Sequence, residues 1–317
     1  LRRLKPDPLN LSVNTGVGSK YLDDYRTLVE YLAGVFFILA VKKRGDKMKT
    51  ALSIAGSDCS GGAGIQADLK TFSAHGVYGM TVITSVVAEN TFRVTDYQDV
   101  RSDIIEKQID DIFDDIPPNA VKIGMLSCCE TMLAVAKKLR EKKPQNIVID
   151  PVMYAKNGSA LMEESAIGTL ISEVVPLADL LTPNIPEAEK LTGVEIKNHE
   201  DMRHAARLIH AMGCRAIVVK GGHSEGDAVD ILFDGKDFFE YPAPRVNTKH
   251  THGTGCTFSS AIAANLALGF SVNAAAKNAK AYINSAIIHA PKLGKGNGPT
   301  HHFYELYKNP VLGGEKQ

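Results

Sequence analysis

The sequence predicts an α/β fold: one large domain with a mainly parallel sheet covered on both faces by helices. Two observations carry this. From Thr50 onward, short apolar strands alternate with amphipathic helical stretches, and no obvious linker divides the chain after Met48. A length of 317 residues would allow one large domain or two smaller ones, and the missing linker favours one.

The elements follow in order. Residues 51–55 (ALSIA) read as a strand entering a glycine-rich turn, and 64–75 as the helix after it. Residues 81–87 (TVITSVV) and 120–124 (AVKIG) read as strands on either side of a helix over 102–113, and a helix over 130–142 leads to a strand at 146–150 (NIVID). Helices are expected over 165–175 and 199–212, with a buried strand at 216–220 (AIVVK). Residues 229–240 form a hairpin around Asp234-Gly235, an edge feature, and helices over 257–268 and 272–289 close the domain.

Residues 1–47 stand apart. They carry Pro6 and Pro8, a largely polar stretch, and the apolar run 32–41, too short for an ordinary membrane-spanning helix and too late for a signal peptide. They read as an atypical extension, disordered or artificial, with Met48 a candidate natural start and no stable membrane association expected.

Thirty-six basic residues balance thirty-six acidic ones, so a nucleic-acid surface is not expected. Five irregularly spaced cysteines make no disulfide framework, which points to a reducing, cytoplasmic setting.

Three loops at strand ends bear chemistry. In Gly56-Ser57-Asp58-Cys59-Ser60-Gly61-Gly62-Ala63-Gly64 the glycines allow close ligand approach and Asp58 adds a polar group; the loop reads as a substrate-binding turn or a purely structural one. It is neither a dinucleotide fingerprint nor a P-loop. Asp150 ends a strand and Glu187 follows Thr182-Pro183-Asn184; these carboxylates could organise Mg²⁺, or Asp150 could cap a turn and Glu187 sit in a helix's first turn. In the third loop, Asn247 to Cys256, Gly253 and Gly255 let consecutive amides face an anion at a helix start. Cys256 beside them is either a buried structural cysteine or a thiolate-favoured base for a hydroxyl nucleophile. Lys220, before Gly221-Gly222, could meet phosphate across the cleft or face solvent.

The ordered set AGSDCSGGAGIQADLKTFSAHGVYG, VVAENT, VKIGML, VIDPVM, LTPNIPEAEKLTG, VVKGGH and THGTGCTFSSAIAANLALG resembles the hydroxymethylpyrimidine/phosphomethylpyrimidine kinases of thiamine biosynthesis, over about 50–302. The resemblance implies a ribokinase-like three-layer α/β/α domain over 48–304, followed by a C-terminal end and polar tail at 305–317. It implies phosphorylation by Mg-ATP of 4-amino-5-hydroxymethyl-2-methylpyrimidine, then of its monophosphate to the diphosphate. Gly56, Asp58, Ala63, Glu89, Met125, Val152 and Cys256 would surround the pyrimidine, with Glu89 at its amino or nitrogen edge. For Met125 and Val152 the residues alone suggest only core packing. Asp150 and Glu187 would hold the metal, and Asn184, Lys220, Thr254 and Gly255 the nucleotide phosphates. Cys256, Lys220, Gly253 and Gly255 would carry catalysis, with Cys256 mattering more for the first transfer. Many ribokinase relatives have Asp where Cys256 stands, and Cys59 takes a position often filled by Pro. A homodimer is expected of the family. Pyridoxal kinase, alone or combined with the pyrimidine activity, is the alternative, and a binding protein without turnover a more distant one.

Overall fold

The computed structural model describes residues 47–155, 158, 160–222 and 227–308. The reading of 1–46 as an extension therefore lies outside the described residues, as does most of the polar tail. The chain divides into two compact units, Leu1–Lys47 and Met48–Gln317.

The second unit is organised by one nine-stranded sheet. In chain order its strands are β1 (Thr50–Asp58), β2 (Tyr78–Glu89), β3 (Val94–Asp99), β4 (Ala120–Ile123), β5 (Ile147–Ile149), β6 (Leu180–Leu181), β7 (Ile217–Val219), β8 (Asp230–Phe233) and β9 (Phe238–Tyr241). They lie in the order β3-β2-β1-β4-β5-β6-β7-β8-β9. The run from β2 to β7 is parallel throughout, while β3 and the β8–β9 hairpin add antiparallel edges.

The helices are α1 (Gly64–Ala74), α2 (Ser102–Asp115), α3 (Cys129–Lys142), α4 (Ile185–Thr192), α5 (His199–Ala211), α6 (Thr254–Ala267), α7 (Val272–Ile288) and the short α8 (Tyr304–Lys308). Side chains alternate along a strand, so each central strand feeds two layers. On β1 and β4, Leu52, Ile54, Val121 and Ile123 join a core with Ile105 and Ile109 of α2 and Met132, Val135 and Leu139 of α3. The intervening Ser53 and Lys122 face the opposite layer, where α1, α6 and α7 pack on one another. Every residue of α6 from Thr257 to Ala267 is buried, so the helix that begins at the third loop is also a central piece of the core.

Three local expectations change. The helix expected over 165–175 is a broken stretch over 164–177, in which 3-10 turns flank a three-residue α-segment and a π-turn at Leu170–Val174. Gly168 lowers its propensity and Pro176 ends regular bonding. Strand β3 was not expected, because VTDYQD is polar and nearly all exposed, without the alternation that marks a half-buried strand. Helix α6 starts three residues earlier than expected, at Thr254 rather than Thr257.

Candidate active site

A cavity of about 560 Å³ opens at the carboxyl ends of the parallel strands, where an α/β sheet gathers the loops that follow its strands. All fourteen residues singled out above line it.

The first loop is organised from within. Asp58 is 2 % exposed, and its carboxylate accepts from the amides of Ser60 (2.7 Å), Gly62 (3.0 Å) and Ala63 (2.7 Å), from Ser60 Oγ (3.0 Å), and from His252 Nε2 (2.8 Å). Burial alone would raise its pKa, but these donors, His252 foremost, hold it well below the usual carboxylate range. Asp58 thus organises the loop's shape while it also lines the cavity. Gly56 acts through a neighbour: a Cβ there would lie 2.8 Å from Met125 Cε, so its bareness admits Met125 to the cavity wall. Ala63 caps α1 and Val152 follows β5, both at the cavity. The Cys59 thiol reaches the backbone of Glu89, with Sγ 3.1 Å from its carbonyl oxygen and 3.4 Å from its nitrogen.

Glu89 ends β2, half-buried and facing Asp58 and His252; ligand atoms of the three lie within 4.8 Å of one another. Burial and the neighbouring Asp58 raise its pKa to about 7, with His252 opposing. A cation could be shared by such a trio, but His252 and Asp58 already bond each other directly.

Across the cavity, Asp150 Oδ1 receives Lys220 Nζ at 2.7 Å, and Glu187 lies 4.0 Å from the same ammonium. Burial lowers the lysine's pKa, but the two carboxylates outweigh it, so Lys220 stays charged. Asn184 and Glu187 form a reciprocal capping box on α4: Glu187 N donates to Asn184 Oδ1 (2.9 Å) and Asn184 N to Glu187 Oε2 (2.8 Å). Glu187 also accepts the Met153 amide, and burial carries its pKa up to about 7. Asp150 Oδ2 is less occupied, with Ser259 Oγ at 3.5 Å. A hard cation suits oxygen donors of this kind, and Asp150 fits it better than Glu187, whose carboxylate is engaged with backbone amides.

The third loop is the one expected to face an anion. Gly253 caps α6 at φ 75°, and a Cβ there would overlap the Gly62 carbonyl, so the first and third loops interlock through two glycines. The Thr254 amide turns back to Thr251 (3.2 Å), and the first regular helical bond runs from Thr257 N to Gly253 O (2.8 Å). The amides of Gly255 and Cys256 lie between, in the first turn where intrahelical acceptors are missing. A Cβ on Gly255 would sit 3.1 Å from Asp150 Oδ2 and 3.4 Å from Lys220 Nζ, which places carboxylate, ammonium and amides together.

Cys256 corrects one expectation. The glycine-rich helix start suggested a favoured thiolate, yet the thiol is pushed up to about 12. Burial is the chief cause; Lys122 and the Gly64 amide pull the other way, and Asp68 and Asp150 oppose them. In the unliganded site the sulfur is therefore a thiol.

The sequence reading passed over several residues here. His252 ties the first loop to the third, and Thr300 and Gly298 bond its backbone. Beneath Cys256, fully buried Lys122 pairs with Asp68 (2.8 Å), which also accepts Ser53 Oγ (2.5 Å) and Ser260 Oγ (2.6 Å). The lysine inside the apolar strand AVKI was the available signal. The apolar side chains of Val246, Ile283 and Ile287 also line the cavity, the last two one turn apart on α7.

The model of the phosphomethylpyrimidine kinase family matches residues 58–301. The chain belongs to that family. The hydroxymethylpyrimidine/phosphomethylpyrimidine kinase of Rhizobium meliloti is 49% identical over 263 residues, 82% of this chain and 98% of that protein. The thiamine biosynthesis bifunctional protein ThiED of Geobacter sulfurreducens is 50% identical over 254 residues, 80% of this chain; the match spans about half, 52%, of that relative's length. Among solved structures, the phosphomethylpyrimidine kinase of Clostridium difficile is 47% identical with a TM-score of 0.69, covering 75% of this chain and 99% of that one. A Bacillus subtilis pyridoxal kinase solved with ADP is 41% identical with a TM-score of 0.76, covering 83% of this chain and all of that one. As in the rest of this kinase family, the fold is the ribokinase-like one that the motifs implied.

Proposed function

We propose that this chain phosphorylates 4-amino-5-hydroxymethyl-2-methylpyrimidine with ATP and then converts the monophosphate to the diphosphate, for thiamine biosynthesis. One observation carries the reading. A single cavity is lined by Glu89, Met125 and Val152 together with Cys256, Lys220 and Asp150, and Gly255 lies against the last two.

Met125 and Val152 give a flat ring apolar contact, and Glu89 meets its polar edge. Cys256, once its own proton has left to solvent, takes the hydroxymethyl proton as the oxygen attacks. The amides of Gly255 and Cys256, with Lys220, stabilise charge on the migrating phosphoryl group. Asp150, and Glu187 more distantly, would hold Mg²⁺, which neutralises phosphate charge when bound. Asn184 and Thr254 border the phosphates, and Val246, Ile283 and Ile287 offer an apolar seat for the nucleotide base. A phosphate acceptor is already ionised near neutral pH, so the second transfer needs no base.

A cytoplasmic setting fits the five free cysteines, and among the described residues no helix is long and apolar enough to cross a membrane. A homodimer remains part of the proposal, tested by sedimentation of the purified chain.

Pyridoxal kinase is the second reading, favoured by the structural likeness to the Bacillus subtilis enzyme. Mass-resolved product analysis with Mg-ATP and pyridoxal, hydroxymethylpyrimidine or its monophosphate separates them. Pyrimidine diphosphate is the expected product; turnover of pyridoxal alone would overturn the first reading.

A further inference from the structure

Lys220 is held at its tip by Asp150, and the chain on either side of it is held as well. Its own amide donates to the Pro183 carbonyl (2.8 Å), and the next amide, that of Gly221, donates to Asp230 Oδ1 (2.9 Å). Asp230 opens β8, beside β7 in the sheet, and is 5 % exposed. Its other oxygen, Oδ2, meets Lys280 Nζ of α7 at 2.8 Å, and the same ammonium donates to the Ala228 carbonyl at 2.8 Å. A Cβ on Gly221 would overlap the Val229 carbonyl, so the chain leaving Lys220 runs hard against the chain entering β8. Asp230 and Lys280 both line the cavity, yet neither belongs to the three loops that gather there.

A buried ion pair adds little net stability, because desolvation of the two ions offsets their attraction. What it supplies here is direction: a charge-assisted bond to one particular amide. That amide follows the lysine directly. A lysine is a point charge on a flexible four-carbon stem, so its aim depends on how firmly its backbone is held. Transfer chemistry is sensitive to that aim, since a misplacement of about 1 Å can cost about 10²-fold in rate.

We propose that Asp230 and Lys280 are positioning residues for phosphoryl transfer: the pair clamps the Lys220–Gly221 peptide and so aims the Lys220 ammonium at the migrating phosphoryl group. Asp230 acts through the acceptor that it offers Gly221, and Lys280 through the charge that holds this acceptor in place. The inference rests on the phosphate role proposed for Lys220 and is independent of which ring carries the alcohol.

Two double variants of the full chain, assayed with Mg-ATP, test the clamp without stranding a charge. Asp230→Asn with Lys280→Met keeps an oxygen for the Gly221 amide, and its kcat is expected within about twofold of wild type. Asp230→Leu with Lys280→Met removes that oxygen, and kcat should fall about 10–10²-fold while KM for the acceptor alcohol stays level. Urea unfolding shows that each variant is folded, and kcat is taken per folded molecule. If the second pair does not fold, Asp230→Ala with Lys280 retained takes its place, and the same loss is expected. Equal, large losses in both pairs would overturn the proposal, because Lys280 would then act on the nucleotide directly. Wild-type kcat in both would also overturn it, leaving the pair a structural one. Hydroxymethylpyrimidine and pyridoxal are assayed in parallel: turnover of pyridoxal alone removes the pyrimidine reading but leaves this comparison valid. A Lys220→Ala enzyme as fast as wild type would remove the lysine's phosphate role, and the clamp with it.

Discussion

Cys256 shows how one side chain is placed between opposing influences. Burial, Asp68 and Asp150 favour the thiol; Lys122 and the Gly64 amide favour the thiolate; burial prevails, at about 12. A sulfur this basic holds its proton at neutral pH, so the base is the minor thiolate form, left after that proton has gone to solvent. Cys256→Ala is therefore expected to slow the first phosphorylation by about 10²–10⁴-fold. The second should fall by less than about tenfold, since a phosphate oxygen needs no base. Rapid-quench measurement of each transfer with its own acceptor checks this, and equal losses would reject the division of labour. The same pKa sets a pH dependence. Deprotonation grows as pH approaches about 12, so kcat for the first transfer should climb through the neutral range while the second stays level. The sequence singled out Cys256, but its protonation depends on Lys122, Asp68 and Asp150, which no local motif displays.

At the scale of elements, the site depends on how loops lock at strand ends. Gly253 takes a left-handed conformation with no room for a Cβ against Gly62, and Asn184 with Glu187 closes the start of α4. Gly253→Ala forces strain of about 1–3 kcal/mol into the α6 start and pushes the first loop away from the third. Both phosphoryl transfers should fail together, with a parallel loss of unfolding free energy in urea; a variant with one transfer intact would show that the amides serve only the other. Elements with strong periodicity were legible: α1, α2, α3, α5 and the hairpin lie within a residue or two of expectation. Strand β3 was not, because its residues are polar and only pairing with β2 makes them a strand. The 164–177 stretch is apolar enough for a helix, but Gly168 and Pro176 divide it into turns of differing pitch.

Across the molecule, the buried Lys122–Asp68 pair joins the sheet to the layer that carries α6. Asp68 rises from α1, Lys122 from β4, and Ser53 and Ser260 complete the cluster from β1 and α6. Lys122→Met is expected to cost about 3–5 kcal/mol, because it strands a buried carboxylate. Adding Asp68→Leu should recover much of that loss, a non-additivity read from denaturation of the single and double variants; additive losses would mean that the pair is not coupled. Alternating apolar strands and helices determined a parallel sheet covered on both sides, and glycines at strand ends with Cys256, Lys220 and Asp150 marked the loops that gather at one cavity, because backbone periodicity and turn chemistry are local. Tertiary structure alone decided that His252 joins two loops, that Lys122 pairs with Asp68 and that burial pushes the pKa values of Glu89 and Cys256 up. Those outcomes depend on burial and on charges far apart in the chain, which become neighbours only when the layers close.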